Sequence, residues 1–239
     1  MELKGKKNKK FWNFKSLDKN QGELTLYGEI SNETWWGDEV TPKEFKADLD
    51  NLGEIDTLNI FINSPGGDVF AGQTIYSILK RHKAHKNVYI DGLAASIASV
   101  IAMAGNTIFM PKNAMMMIHN PWTVGMGNAD EFRKLAEDLD KIRESLIAAY
   151  EGHSALTRDE IIEIMDSETW LTASECEEYG FCDVVEEEKN MAASIDVEVL
   201  GRYRNTPKVF LTEEPKSEKN GQDKEQELLK QKLLIELEL

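Results

Sequence analysis

Residues 91–105, DGLAASIASVIAMAG, decide the fold because they join the end of a strand to the start of a buried helix. The preceding residues 87–91, NVYID, predict a strand. The residues that follow are apolar nearly all round, which is typical of a helix deep in a core, and Gly105 and Asn106 end it. The turn between strand and helix carries Ser96, whose side chain is therefore expected at the carboxyl ends of the strands.

The same strand and helix alternation extends to either side of this stretch. Further strands are predicted in ELTLYGEI (23–30), TLNIFIN (57–63), TIFMP (107–111) and AMMMIH (114–119), and helices in TPKEFKADLDNL (41–52) and VFAGQTIYSILKRHK (69–83). The first of these helices opens with a capping box, Thr41 with Glu44. Alternation of this kind predicts an α/β layer structure with parallel strand pairs and right-handed crossovers.

A long amphipathic helix is predicted from Asn128 to about Tyr150, followed by shorter elements. Its apolar residues recur at alternating spacings of three and four, which makes a narrow seam. The seam has two interpretations: the helix packs on its own domain, or it projects and packs on a partner subunit. Two later helices begin at the capping boxes Thr157 with Glu160 and Thr172 with Glu175, before a strand in FCDVV (181–185).

These patterns divide the chain into three parts. Residues 1–20 are predicted to be a flexible basic arm, residues 21–190 one folded domain, and residues 191–239 a C-terminal extension. Within the extension, 197–211 favours one or two short strands, 212–226 disorder, and 227–239 a terminal amphipathic helix.

Composition excludes several classes of function. The net charge of -15 argues against binding to nucleic acid or an anionic membrane, and no apolar run approaches the length of a membrane span. The N-terminus lacks a secretory apolar segment, so a cytoplasmic protein is expected. Cys176 and Cys182 do not form a C-x-x-C pair, and the four histidines do not complete a ligand set, so we expect reduced thiols and no metal.

Three groups of residues could carry chemistry. Ser96 is either a helix N-cap or a nucleophile, and the N–H of Ile97 at the helix start could then hold an oxyanion. The Gly66-Gly67 pair is either an ordinary turn or a second source of N–H groups. His119, after the apolar MMMI, is either a strand-end histidine or the base that a serine nucleophile needs.

Four motifs in order resemble those of the Clp protease proteolytic subunit family, across roughly residues 23–187. They are NSPGGDVFAGQTIY (63–76), GLAASIAS (92–99), MMMIHNP (115–121) and ETWLTASECEEYGFCD (168–183). The resemblance implies that Ser96 is the nucleophile and His119 the general base, and that Gly67 and Ile97 form the oxyanion hole. Ser99 does not match the nucleophile's position.

The third catalytic residue departs from the family's pattern, which has an aspartate here. In DSETWLTA (166–173), Glu168 is in register and is our prediction, whereas Asp166 lies two residues earlier. Either carboxylate could accept the imidazole N–H. The remaining alternative is a Ser-His dyad, with Glu168 a solvated loop charge.

The resemblance also implies a fold, an activity and partners. The fold would be a β-β-α superhelix, shared with crotonases, with a projecting handle helix. The activity would be a serine endopeptidase that needs no cofactor and acts on peptides or proteins inside a homo-oligomeric ring, usually heptameric and stacked in pairs. The partner is either an unfolding ATPase or phage capsid and scaffold proteins. The lysine-rich start, the segment NETWWGDEV (32–40) and the C-terminal extension favour the phage head-maturation branch.

Two other classes of function remain open at this point. One is a crotonase-like enzyme that stabilises the enolate of an acyl-coenzyme A with paired backbone N–H groups. The other is a catalytically silent ring subunit.

Overall fold

The computed structural model describes residues 10–17, 20–31, 41–189 and 197–208. Its strands are β1 Trp12–Leu17, β2 Gln21–Tyr27, β3 Thr57–Ser64, β4 His85–Ala95, β5 Thr107–Pro111, β6 Met115–Ile118, β7 Thr169–Thr172 and β8 Val184–Glu186. Its helices are α1 Pro42–Asp50, α2 Val69–Arg81, α3 Ile97–Ala102, α4 Ala129–Glu151, α5 Arg158–Asp166, α6 Ala173–Tyr179 and α7 Val197–Leu200.

The strands form one mixed sheet in the order β1-β2-β3-β4-β5-β8, with β6 and β7 branching from β4. Neighbours from β2 to β8 run parallel, whereas β1 and β7 are antiparallel to their partners β2 and β6. This arrangement confirms the predicted α/β class with parallel pairing. The superhelix and the projecting handle stay predictions.

Strand β4 forks, and the fork positions the candidate site. Its residues 87–89 pair with β5, and its residues 93–95 pair with β6. The strand is long because alternate residues, among them Val88 and Ile90, are fully buried along its inner face. At its end the chain turns into α3, whose six residues are all buried, as the apolar pattern predicts.

Strand β1 lies within the part of the chain predicted to be a flexible arm. Trp12 is 4% exposed, packs edge-on against Phe45 at 5.5 Å and donates its indole N–H to Asp48 at 2.9 Å. The prediction of an arm over 1–20 is therefore wrong for 12–17, because aromatic residues that contact a later helix hold this lysine-rich segment. Residues 1–9 and the tryptophan-rich 32–40 lie outside the described residues.

The C-terminal extension also differs from its prediction where it is described. Residues 197–200 form the single helical turn α7 rather than a strand. Residues 190–196 and 209–239, with the predicted terminal helix, lie outside the described residues.

The long helix α4 is one residue shifted from its predicted range of 128–150. Asn128 caps it with both halves of a capping box, the partner being Glu131. The residues that are buried lie in the last two turns and include Leu146 and Tyr150, whereas Phe132 near the start is 49% exposed. The first turns of the seam are thus more exposed than its last two turns in a single chain. Among the described helices, none has the length and hydropathy of a membrane span.

Candidate active site

Ser96 lies at the turn from β4 into α3 in an unusual backbone conformation. Its φ of 54° and ψ of -129° fall in the region that favours glycine, and its side chain makes no capping hydrogen bond to α3. The backbone N–H of Ser96 donates to the Met117 carbonyl at 2.9 Å, and the Ser99 hydroxyl donates to the Ser96 carbonyl at 2.6 Å. Ser96 therefore stands at the N-cap position without capping α3 through its side chain, and its hydroxyl is free to contact other groups.

The hydroxyl of Ser96 faces His119. The distance from Ser96 Oγ to His119 Nε2 is 2.7 Å, a hydrogen bond in the range that proton transfer needs. The two meet because β6, which ends just before His119, runs parallel to the end of β4, with Met117 opposite Ala95. Parallel strands bring their carboxyl ends to one edge, and at this edge the predicted serine and histidine lie side by side.

Burial sets the protonation of His119. Its side chain is 8% exposed, and desolvation, with a smaller contribution from the positive charge of Arg204, lowers the pKa of His119 to about 4. The imidazole is therefore neutral near pH 7. A neutral imidazole can accept the proton of the Ser96 hydroxyl.

The Gly66-Gly67 turn lies against Ser96. A Cβ placed on Gly66 would lie 2.6 Å from the Cβ of Ser96, and one placed on Gly67, whose φ is +144°, would lie 2.0 Å from the Ile30 carbonyl oxygen. Ile30 bridges this turn by bonds to the Gly66 carbonyl and the Asp68 N–H. Neither of these two bonds uses the N–H of Gly67.

Ile97 is the first residue of α3 and follows Ser96 directly. The first N–H groups of a helix have no partner within it, so the N–H of Ile97 is available at the helix start. Its side chain is fixed by α2: a Cβ on Gly72 would lie 2.2 Å from Ile97 Cγ1. Ile97, one predicted oxyanion donor, thus follows Ser96 directly, and Gly67, the other, lines a cleft together with Ser96.

The predicted acid Glu168 lies at the same end of the β6 and β7 pair as His119, but its carboxylate bonds to another residue. It precedes β7, whose Thr169 pairs with Ile118, so Glu168 and His119 flank the same end of the strand pair. Glu168 is 5% exposed, and its Oε1 accepts the Asn205 N–H at 2.6 Å. Within the described part of the chain, neither a hydrogen bond nor an ion pair joins Glu168 to His119, so its catalytic role stays a prediction.

The alternative acid, Asp166, is the last residue of α5. Its exposed carboxylate accepts the Asn120 amide at 2.7 Å and pairs with Arg143 at 3.3 Å. Both partners occupy the same oxygen of the carboxylate. Neither Asp166 nor Glu168 is bonded to His119 within the described residues, so the choice between them stays a prediction.

Two residues at the site were not identified from the sequence. Tyr150 on α4 shares a 2.8 Å hydrogen bond with Ser99, and both are buried. Tyr203, from the C-terminal extension, lines a cleft of about 450 Å³ together with Ser96 and His119. No local pattern identifies either residue, because each acts through contacts with distant parts of the chain.

Comparisons with known proteins match the part of the chain that carries the site. The family model described as Clp protease matches residues 38–189. The ATP-dependent Clp protease proteolytic subunit of Bacteroides fragilis (strain ATCC 25285) is 32% identical over 154 residues, which are 62% of this chain and 74% of the relative. That of Deinococcus radiodurans is 30% identical over 140 residues, 57% of this chain and 68% of the relative. Both the Ser-His pair and the glycine turn fall inside the matched residues, and residues 197–208 fall beyond them.

Proposed function

The chain belongs to the Clp protease family, and from this membership and the geometry of its site we propose that it is a serine-type endopeptidase. The observation that carries the proposal is the 2.7 Å contact between Ser96 Oγ and His119 Nε2, made by a serine whose side chain forms no capping hydrogen bond to α3. Substrates are peptides or proteins.

Catalysis proceeds through an acyl-enzyme. His119 Nε2 takes the proton of Ser96 Oγ as that oxygen attacks the substrate carbonyl carbon, and the resulting oxyanion accepts hydrogen bonds from the N–H groups of Gly67 and Ile97. His119 then gives the proton to the leaving amine. Water, deprotonated by the same imidazole, attacks the acyl carbon and frees Ser96.

Glu168 is the third member in this proposal. Its carboxylate would accept the remaining imidazole N–H and stabilise the imidazolium that forms during each proton transfer. The low pKa of His119 makes that stabilisation valuable, because a buried imidazolium without an acidic partner is costly.

The proposal also covers the oligomeric assembly of the protein and its biological role. The exposed first half of α4 suits a helix that packs on another subunit of a homo-oligomeric ring, with cleavage inside the ring. An extended substrate adds as a strand beside the turn after Gly67 and the segment 120–127. The ring acts either with an unfolding ATPase or on phage capsid and scaffold proteins, and the sequence features beyond the family match favour the second use.

A fluorophosphonate probe tests the chemistry directly. We expect an adduct on the peptide that contains Ser96, absent in Ser96→Ala and formed at least about 100-fold more slowly in His119→Ala. Ser174→Ala and His85→Ala, at exposed positions of α6 and β4, are the matched controls and should label like the wild type.

The same experiment decides between the classes of function. An adduct on a different serine, or labelling that persists without His119, would contradict the assignment. Absence of any adduct in the assembled protein would favour a silent ring subunit. Binding of an acyl-coenzyme A without peptide hydrolysis would favour the crotonase-like alternative.

A further inference from the structure

The described residues of the C-terminal extension, 197–208, lie on the catalytic face of the sheet; we call them the covering segment. Leu200 is 1% exposed and packs with Leu93, Ala95 and Met117, at the ends of the two strands that carry Ser96 and His119. The Thr206 hydroxyl donates to the Leu200 carbonyl at 2.7 Å, which closes the segment into a compact loop.

The covering segment also forms one wall of the cleft. The Tyr203 hydroxyl donates to the Pro65 carbonyl at 2.5 Å, next to the glycine turn, and its ring meets that of His119 edge-on at 5.1 Å. Arg202 pairs with Glu29 at 2.6 Å across the cleft. A substrate strand that adds beside the glycine turn must pass these two side chains.

The same segment engages the predicted acid. The Asn205 N–H donates to Glu168 Oε1, and Arg204 Nε lies 3.8 Å from the other oxygen. The Asn205 side chain donates to the Ser167 carbonyl at 2.8 Å, which fixes the loop against the chain just before Glu168. Both oxygens of the carboxylate therefore face the covering segment.

We propose that the covering segment is an autoinhibitory element that narrows the cleft with Tyr203 and Arg202 and withholds Glu168 from His119. The proposal rests on the proposed peptidase function of Ser96. When the segment leaves, Glu168 loses its amide partner and Arg204, and its carboxylate is free to reach the imidazole at the neighbouring end of the strand pair. Undocking thus opens the wall and completes the triad in one step.

The rate of fluorophosphonate labelling of Ser96 in the full chain measures this inhibition. Leu200→Asp removes the apolar anchor, and Tyr203→Ala removes the wall and the bond to the Pro65 carbonyl. If the segment is docked in nine of ten molecules, each variant should label about tenfold faster than the wild type. Lys208→Ala, at an exposed position of the same segment, is the matched control and should label at the wild-type rate.

A second readout follows the segment itself. The Asn205 amide should be protected from hydrogen exchange in the wild type and lose that protection in Leu200→Asp, with the protection of the buried strands unchanged. Glu168→Gln should slow labelling by a larger factor in the Leu200→Asp background than in the otherwise wild-type chain, because only the undocked carboxylate acts on His119.

Each outcome bears on the proposal. Faster labelling in both undocking variants, with loss of Asn205 protection, supports it. Equal or slower labelling in both, with the strands still protected, overturns the autoinhibition while the peptidase assignment stands. Absence of labelling in every variant overturns the peptidase assignment, and the autoinhibition with it.

Discussion

Replacing Ser96 by glycine should stabilise the protein relative to replacing it by alanine. Both substitutions remove the hydroxyl and its hydrogen bond to His119, so the comparison isolates the backbone. At φ 54° and ψ -129° an alanine keeps the strain that its Cβ causes, whereas a glycine adopts this conformation freely. The usual order, in which alanine is the more stabilising residue, should therefore be reversed.

The magnitude follows from two opposing contributions. A non-glycine residue held in such a conformation costs about 1–3 kcal/mol. Glycine costs about 0.5–1 kcal/mol more than alanine through the entropy of the unfolded chain. No capping bond is lost, because the Ser96 side chain makes none to α3. The net expectation is that Ser96→Gly is more stable than Ser96→Ala by about 1 kcal/mol.

Urea unfolding followed by tryptophan fluorescence, at one protein concentration for both variants, measures this difference. Equal slopes with a higher midpoint for Ser96→Gly would match the expectation. The matched pair Ser99→Gly and Ser99→Ala, at a helical position inside α3, should show the ordinary order. If Ser96→Gly were the less stable by the usual glycine cost, the turn would be unstrained and the inferred backbone strain at Ser96 would be refuted.

Three further predictions concern the rest of the site. Gly67→Ala should destabilise the fold by at least about 2 kcal/mol in urea unfolding and abolish labelling of the nucleophile, because its Cβ would lie 2.0 Å from the Ile30 carbonyl oxygen. The free energy of unfolding should fall by up to about 3 kcal/mol as pH drops from 6.5 to about 4. The reason is that the pKa of His119 is lower in the folded protein than in the unfolded chain, so the unfolded chain binds the proton first. His119→Gln should remove most of this loss. Ser99→Ala should cost about 1–3 kcal/mol because it leaves the buried Tyr150 hydroxyl unpaired, whereas Tyr150→Phe should cost less because the Ser99 hydroxyl still donates to the Ser96 carbonyl, and the double variant should cost less than the sum of the two.

Local patterns predicted most of the fold, because the interactions behind them lie close together in the chain. The capping box of Thr41 and Glu44 is present with both of its hydrogen bonds. The long helix was placed to within one residue at each end, since Asn128 caps it and its periodicity is strong. The Ser96 turn was located because a strand that runs into a buried helix leaves few places for the chain to reverse.

Contacts between distant segments account for what the sequence did not predict. Trp12 belongs to a strand because Phe45, 33 residues later, packs on it. The lysine-rich sequence around Trp12, taken alone, predicts a flexible arm. The composition of residues 197–200 predicts a strand, yet these residues form a helical turn, and residues of β4 and β6 bury its Leu200. The partners of Glu168 could not be predicted from the local sequence either, because they are residues 204 and 205.

The position of Ser96 shows why the site can hold a strained residue. The conformation persists only if surrounding bonds oppose its relaxation. Strand β6 holds the Ser96 N–H through the Met117 carbonyl, and Ser99 holds the Ser96 carbonyl from inside α3. The same strand β6 delivers His119, so one strand pairing both fixes the nucleophile's backbone and places its base. Loosening the β4 and β6 pairing would therefore release the strain and separate the catalytic pair together, which makes the fork of β4 the element on which the chemistry depends.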